Sequence, residues 1–147
     1  MNTVIGVEVI EDYVNSRQLR HFCGHHEDEV FFFVNAFHGR LHVHLQPSGS
    51  AVQITVTAER YYSADHRAGV AALVQQWNSA DTHVAATVFP SSDPRLVGVV
   101  AERRYRAMDG AFGPFVDRTV QSAIDLFGRL GAAVALSSDD TRLLDAG

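Results

Sequence analysis

The feature that most constrains this chain is a run of strict alternation. Val52, Ile54, Val56 and Ala58 alternate with Gln53, Thr55, Thr57 and Glu59. Successive side chains of a strand point to opposite faces, so this segment reads as a strand with one dry and one wet side. Leu41, Val43 and Leu45 repeat the pattern against His42, His44 and Gln46, and only Pro47-Ser48-Gly49-Ser50 separates the two runs. Residues 30–37 come first, across a His38-Gly39-Arg40 turn, and carry Phe31, Phe32, Phe33 and Phe37. Turns this short join antiparallel neighbours, so residues 30–59 form a three-stranded meander. Apolar residues on both sides of 30–37 require a cover on each, from the protein or from a partner; Phe31 and Phe33 are the candidate partner surface.

After the meander the period changes. Val70, Leu73, Val74 and Trp77 recur at i, i+3, i+4 and i+7, which predicts a helix within residues 68–81. Ser63 or Asp65 can cap its start, and Asn78 can close its last turn in the left-handed conformation. Trp77 is the only tryptophan; at the end of an apolar stripe it is a core anchor rather than a ring offered to a ligand. Residues 83–89 and 96–104 read as two more strands, joined by the turn Pro90-Ser91-Ser92-Asp93-Pro94. A last helix opens at Pro114 and turns Val116, Val120, Ala123, Phe127 and Leu130 to one side. Asp125 and Arg129 on it are spaced as an i,i+4 ion pair. Before the meander, Ile10, Tyr13 and Val14 place a helix within residues 8–23, which Leu19 and Phe22 extend until Gly24 ends it. Residues 132–147, with Ser137-Ser138-Asp139-Asp140, read as a flexible acidic tail. The order α-β-β-β-α-β-β-α predicts an α+β domain over residues 1–147: a five-stranded antiparallel sheet with helices on one face.

Composition narrows the function classes. A chain of 147 residues, 46% hydrophobic and 20% charged, is one ordinary globular domain. A net charge of −5 argues against binding a nucleic-acid backbone. Cys23 is alone, which excludes an intramolecular disulfide and a cysteine-built zinc site, and it reads as a buried structural cysteine. No run approaches the roughly 20 apolar residues of a membrane span. The first residues lack the basic region of a secretory signal, so the expected compartment is the cytoplasm.

No catalytic motif is present, and the chain is expected not to be an enzyme. Ser63-Ala64-Asp65-His66 holds hydrolase residue types, but groups crowded on one helix start cannot form a relay. No glycine-rich phosphate loop occurs. His42 and His44, two apart on a strand, point to one face and are spaced to share a metal ion, with His38, His25 or His26 as a third ligand. They read as wet-face residues of a half-exposed strand, with the metal pair as the alternative. Cupins also place His-x-His on a strand, yet here Gln46-Pro47-Ser48-Gly49 follows instead of their glutamate. His25-His26-Glu27-Asp28-Glu29 reads as a solvated connection before a cation site. Arg103, Arg104 and Arg106 read as a solvated strand end, with contact to an acidic partner as the alternative.

The element order, with a Trp-Asn pair ending the middle helix, resembles the YbjN family and its type III secretion chaperone-like relatives. The residues that carry the likeness are the meander 30–59, the helix ending Gln76-Trp77-Asn78, the strands 83–89 and 96–104, and the helix 115–130 with Phe127 near its end. It spans residues 10–131. The resemblance implies a small bacterial protein that binds or regulates other proteins, commonly as a homodimer, without cofactor or catalytic residues. It makes Trp77 and Asn78 structural anchors. The sequence is silent on the partner's identity, the pathway and the dimer surface.

Overall fold

The computed structural model describes residues 6–23, 29–36, 39–80 and 82–145, with side chains through residue 134. In chain order the elements are α1 (Val7–Ser16), β1 (His21–Cys23), β2 (Val30–Ala36), β3 (Gly39–Ser48), β4 (Ala51–Ala58), β5 (Tyr62–Ser63), α2 (Arg67–Ser79), β6 (Ala85–Pro90), β7 (Leu96–Arg106) and α3 (Phe112–Asp145). Short 3-10 turns precede α2 and α3. Gly24, residues 25–28, Phe37, His38 and Asp81, which the sequence pattern singled out, lie outside the described residues.

Alternation becomes register. Leu41, Val43 and Leu45 of β3 face Ala58, Val56 and Ile54 of β4, and on the other side Val34, Phe32 and Val30 of β2. Cross-strand partners share a face, so these residues form one apolar surface. Tyr105 and Ala101 of β7 continue it opposite Val52 and Val56, and Ala86 of β6 continues it opposite Ala101. Among the described residues the sheet is antiparallel throughout and has seven strands rather than the five expected. Its order runs β1-β2-β3-β4-β7, with β5 prolonging the β4 side of β7 and β6 pairing along the other side.

The additional strands have local causes. α1 stops at Ser16 in a Schellman turn: Leu19 N–H bonds the Val14 carbonyl at 2.9 Å, and Gln18 N–H the Asn15 carbonyl at 3.1 Å. Gln18 holds the left-handed conformation, φ 54°, that glycine usually takes there. The helix therefore ends before Leu19 and Phe22, Phe22 joins β1 opposite Phe31, and Cys23 at the end of this edge strand is exposed rather than buried. β5 is a two-residue bridge to Leu96 and Val97.

Helices α1, α2 and α3 pack on the apolar face. α1 buries Ile10, Tyr13 and Val14, with the Tyr13 ring 6.0 Å from Phe32 and 5.9 Å from Phe112. It is tied to α3 by Asp117, which accepts from the Tyr13 hydroxyl and from Arg17 Nη2, both at 2.7 Å. Ser63 Oγ caps the turn into α2 by accepting from Asp65 N–H at 3.3 Å, and α2 buries Val70, Val74 and Trp77. α3 buries Phe115, Val116, Ala123, Leu126, Phe127 and Leu130. Each fully buried large side chain, such as Phe32, Ile54 or Leu126, contributes roughly 1.5–3 kcal/mol. α3 runs on to Asp145, so residues 132–145 of the segment read as a tail have helical backbone. The alanines at 132, 133 and 135 are strong helix formers and offset Gly128 and Gly131. The Asp125–Arg129 pair does not form. Asp125 accepts from Gln121 at 3.3 Å instead, and the Arg129 guanidinium lies 5.2 Å from the Trp77 ring centre. Among the described residues no helix is long and apolar enough to cross a membrane.

Candidate functional site

Among the described residues every helix lies on one side, and the opposite face of the sheet is left to its own side chains. At the β1 edge those are aromatic. Phe22 stacks on Phe31 with ring centres 5.6 Å apart, and Phe33 meets both edge-on at 5.7 and 6.4 Å. The His42 ring stands against Phe33 at 4.7 Å. Phe22 is 41% exposed, while Phe31 and Phe33 are half-buried by one another. The Arg40 guanidinium covers Phe33 at 4.6 Å and is held there by Glu59 through bonds of 3.2 and 2.9 Å. That hydrogen bonding holds the Glu59 carboxyl below its ordinary range and raises Arg40. The patch is thus a small apolar plate with a fixed cation at its rim. Phe22 was hidden from periodicity, because the pattern assigned it to a helix.

His42 and His44 both point to this face, as their spacing requires. They do not occupy like environments. His44 Nε2 is 3.7 Å from Glu29 Oε2, whereas His42 packs on Phe33 and its Nε2 is buried with no hydrogen-bond partner. Among the described residues no group of three His, Cys, Asp or Glu side chains is placed to hold a metal ion. The proposed third ligands His25, His26 and His38 lie outside those residues.

Trp77 and Asn78 sit at the far side of the molecule and fasten α2 to β6. Trp77 is 4% exposed, and its indole Nε1 donates to the Val84 carbonyl at 2.9 Å. Asn78 Nδ2 donates to the Ala86 carbonyl and Asn78 Oδ1 accepts from Ala86 N–H, both at 2.8 Å. Asn78 does not close the helix. α2 continues to Ser79 and ends at Ala80 in an extended conformation, φ −79° and ψ 144°. On the bare face of the same strand, Phe89 lies across Gly98 of β7 and meets Tyr61 edge-on at 5.9 Å.

Beside this junction a shallow depression of about 670 Å³ is lined by His83, Arg103, Arg104 and Gln53, with Glu102 at its wall. His83 Nε2 is 2.8 Å from Thr119 Oγ1, and the Thr119 hydroxyl donates to the Phe115 carbonyl at 2.8 Å. A hydroxyl that spends its proton on a carbonyl can only accept from His83, so Nε2 carries hydrogen and Nδ1 is the open nitrogen of the neutral ring. Burial, then the charges of Arg103 and Arg118, hold His83 below its ordinary value, against a weaker opposite pull from Asp109. Arg103 and Arg118 lie 5.6 and 5.8 Å from the Phe115 ring centre, and His83 5.0 Å. Arg106 belongs elsewhere: its N–H donates to Asp109 Oδ2 at 2.9 Å. The sequence marked the arginine run but not its convergence with His83 and Arg118, which come from other elements.

A second, larger groove of about 1250 Å³ runs between the β3–β4 end and the latter half of α3, past Arg40, Tyr61, Tyr62, Ile124, Phe127 and Val134.

No protein-family model and no curated protein matches this chain. Its fold does match solved structures. YbjN from E. coli, a protein proposed to regulate transcription, superposes with a TM-score of 0.70 over 90% of this chain and 96% of its own, at 15% identity. An uncharacterized protein from Methanothermobacter thermautotrophicus superposes with a TM-score of 0.51 over 88% and 99%, at 12% identity. At such identities the likeness shows a YbjN-like fold.

Proposed function

We propose that this chain is a non-catalytic protein-binding or regulatory module, and that the bare face beside β1 is where it docks. The observation that carries this reading is the Phe22–Phe31–Phe33 plate, solvent-facing at Phe22 and rimmed by Arg40. Aromatic residues beside arginine are the composition of binding hot spots. The YbjN-like fold supports a regulatory role, since the E. coli protein is itself proposed to regulate transcription. A cytoplasmic bacterial protein acting as a homodimer belongs to the same reading. The test is affinity capture from the native host with wild type and with a Phe31→Ser, Phe33→Ser variant, beside sedimentation of both. A partner, or self-association, that disappears in the variant while its melting stays cooperative supports the reading. Capture unchanged in the variant removes this surface from the function.

A second reading rests on His42 Nε2, the one buried side-chain nitrogen without a partner among the described residues. It makes the chain a metal- or small-ligand-binding protein built on His42 and His44. Metal analysis of untagged protein decides it: stoichiometric zinc or nickel that is lost in His42→Ala supports it, and metal-free protein sinks it.

A further inference from the structure

Next to the depression between the end of α2, β6 and β7, positive charge gathers around one ring. Arg103 comes from β7, Arg118 from α3 and His83 from the approach to β6, and all three pack on Phe115. Among the described residues neither guanidinium has a carboxylate partner, although Arg17, Arg40 and Arg95 each have one. The carboxylate that His83 senses, Asp109, is engaged by the Arg106 main chain. Glu102 lines the depression but bridges to no arginine.

Two uncompensated arginines next to an imidazole disfavour each other and disfavour charging the histidine. An anion between them reverses both effects. Guanidinium groups match phosphate and carboxylate oxygens, and a phosphate monoester carries about −1.5 to −2 charges at neutral pH, close to what two arginines balance. A polymeric diester backbone fits poorly with a chain of net charge −5.

We propose that Arg103 and Arg118, with His83 Nδ1 as a third contact, form a binding site for a phosphate monoester. It does not depend on the aromatic plate, which lies at the other edge of the sheet. Binding neutralises the field of both arginines and places an acceptor near Nδ1, so His83 takes up a proton as the ligand enters. The charged groups that set this response are Arg103, Arg118 and Asp109.

The experiment follows the His83 ring signals by NMR at fixed ionic strength, with inorganic phosphate and with a short phosphoserine peptide as probes. Wild type should give a saturable shift with either probe or with both, and His83 should titrate at higher pH when loaded. Arg103→Gln and Arg118→Gln, exposed positions expected to keep wild-type melting, should each weaken binding about tenfold. A response to both probes places recognition in the dianion itself, and one to the peptide alone places it in a phosphorylated partner; both support the site. A shift that chloride reproduces, that fails to saturate, or that survives unchanged in both variants marks an adventitious ion only and overturns the proposal.

Discussion

The carboxamide of Asn78 is hydrogen-bonded in both directions to the main chain of Ala86, donating to its carbonyl and accepting from its N–H at 2.8 Å each. An amide side chain here does what a neighbouring strand would do for β6. Asn78→Ala should cost about 1–2 kcal/mol in urea unfolding, since two main-chain groups lose a fixed partner at a half-wet site. Asn78→Asp should cost at least as much, because it keeps the acceptor but sets a carboxylate against the Ala86 carbonyl.

Trp77→Ala should cost on the order of 3–5 kcal/mol by opening a cavity under α2. Trp77→Phe should lose about 1–2 kcal/mol, mainly the indole bond to Val84. Equal losses in the two variants would show that ring volume contributes nothing.

Gln18→Gly should stabilise the protein by about 0.5–1 kcal/mol. The left-handed backbone at φ 54° strains a residue with a Cβ, and relief of that strain exceeds the extra flexibility given to the unfolded chain. A lower melting temperature would mean that the Gln18 side chain is needed.

Two groups make the fold acid-sensitive. Burial, then Arg103 and Arg118, depress His83 from 6.5, so the unfolded chain takes up its proton first. Its contribution is present above pH 6.5 and is lost as pH falls through the folded value. Burial pushes Asp117 up, but hydrogen bonds from Arg17 and Tyr13 outweigh it and leave the carboxyl below its ordinary 3.8. That contribution is present above the unfolded value and is lost at lower pH still. Urea midpoints between pH 7.5 and 5 should fall for wild type and stay flatter for His83→Gln. Parallel curves would exclude His83 as the sensor.

Gly98→Ala should cost about 1–3 kcal/mol, because a methyl group there enters the Phe89 ring. Adding Phe89→Leu to it should recover part of the loss if the collision is the cause.

Where neighbours in sequence are neighbours in space, the chain could be read directly. The alternation at Leu41–Val43–Leu45 and Val52–Ile54–Val56 is the register of β3 on β4, and the stripe through Val70, Val74 and Trp77 is the buried side of α2. β1 escaped because the stop signal at Gln18 is a conformation without its usual glycine. Asn78 carried a helix-end signal by type, but its partner is a main-chain group eight residues away, which no side-chain pattern records. The phosphate-site candidates were illegible for a related reason: His83 meets Thr119 across 36 residues, and periodicity places Thr119 inside an ordinary helix. On the bare face, Phe31 and Phe33 could be picked out from β2, while the third member of their plate, Phe22, depended on the unseen strand.

The bond between Asn78 and Ala86 also gives the sheet a handed sociability. β6 is an outer strand, but its outward groups at Ala86 are already occupied by Asn78, and the Val84 carbonyl just before it by Trp77. An incoming strand at that edge would first have to evict a helix. The margin at the far end is β1, three residues long with Phe22 at its centre. A partner strand that adds its backbone at β1 would arrive beside the aromatic plate.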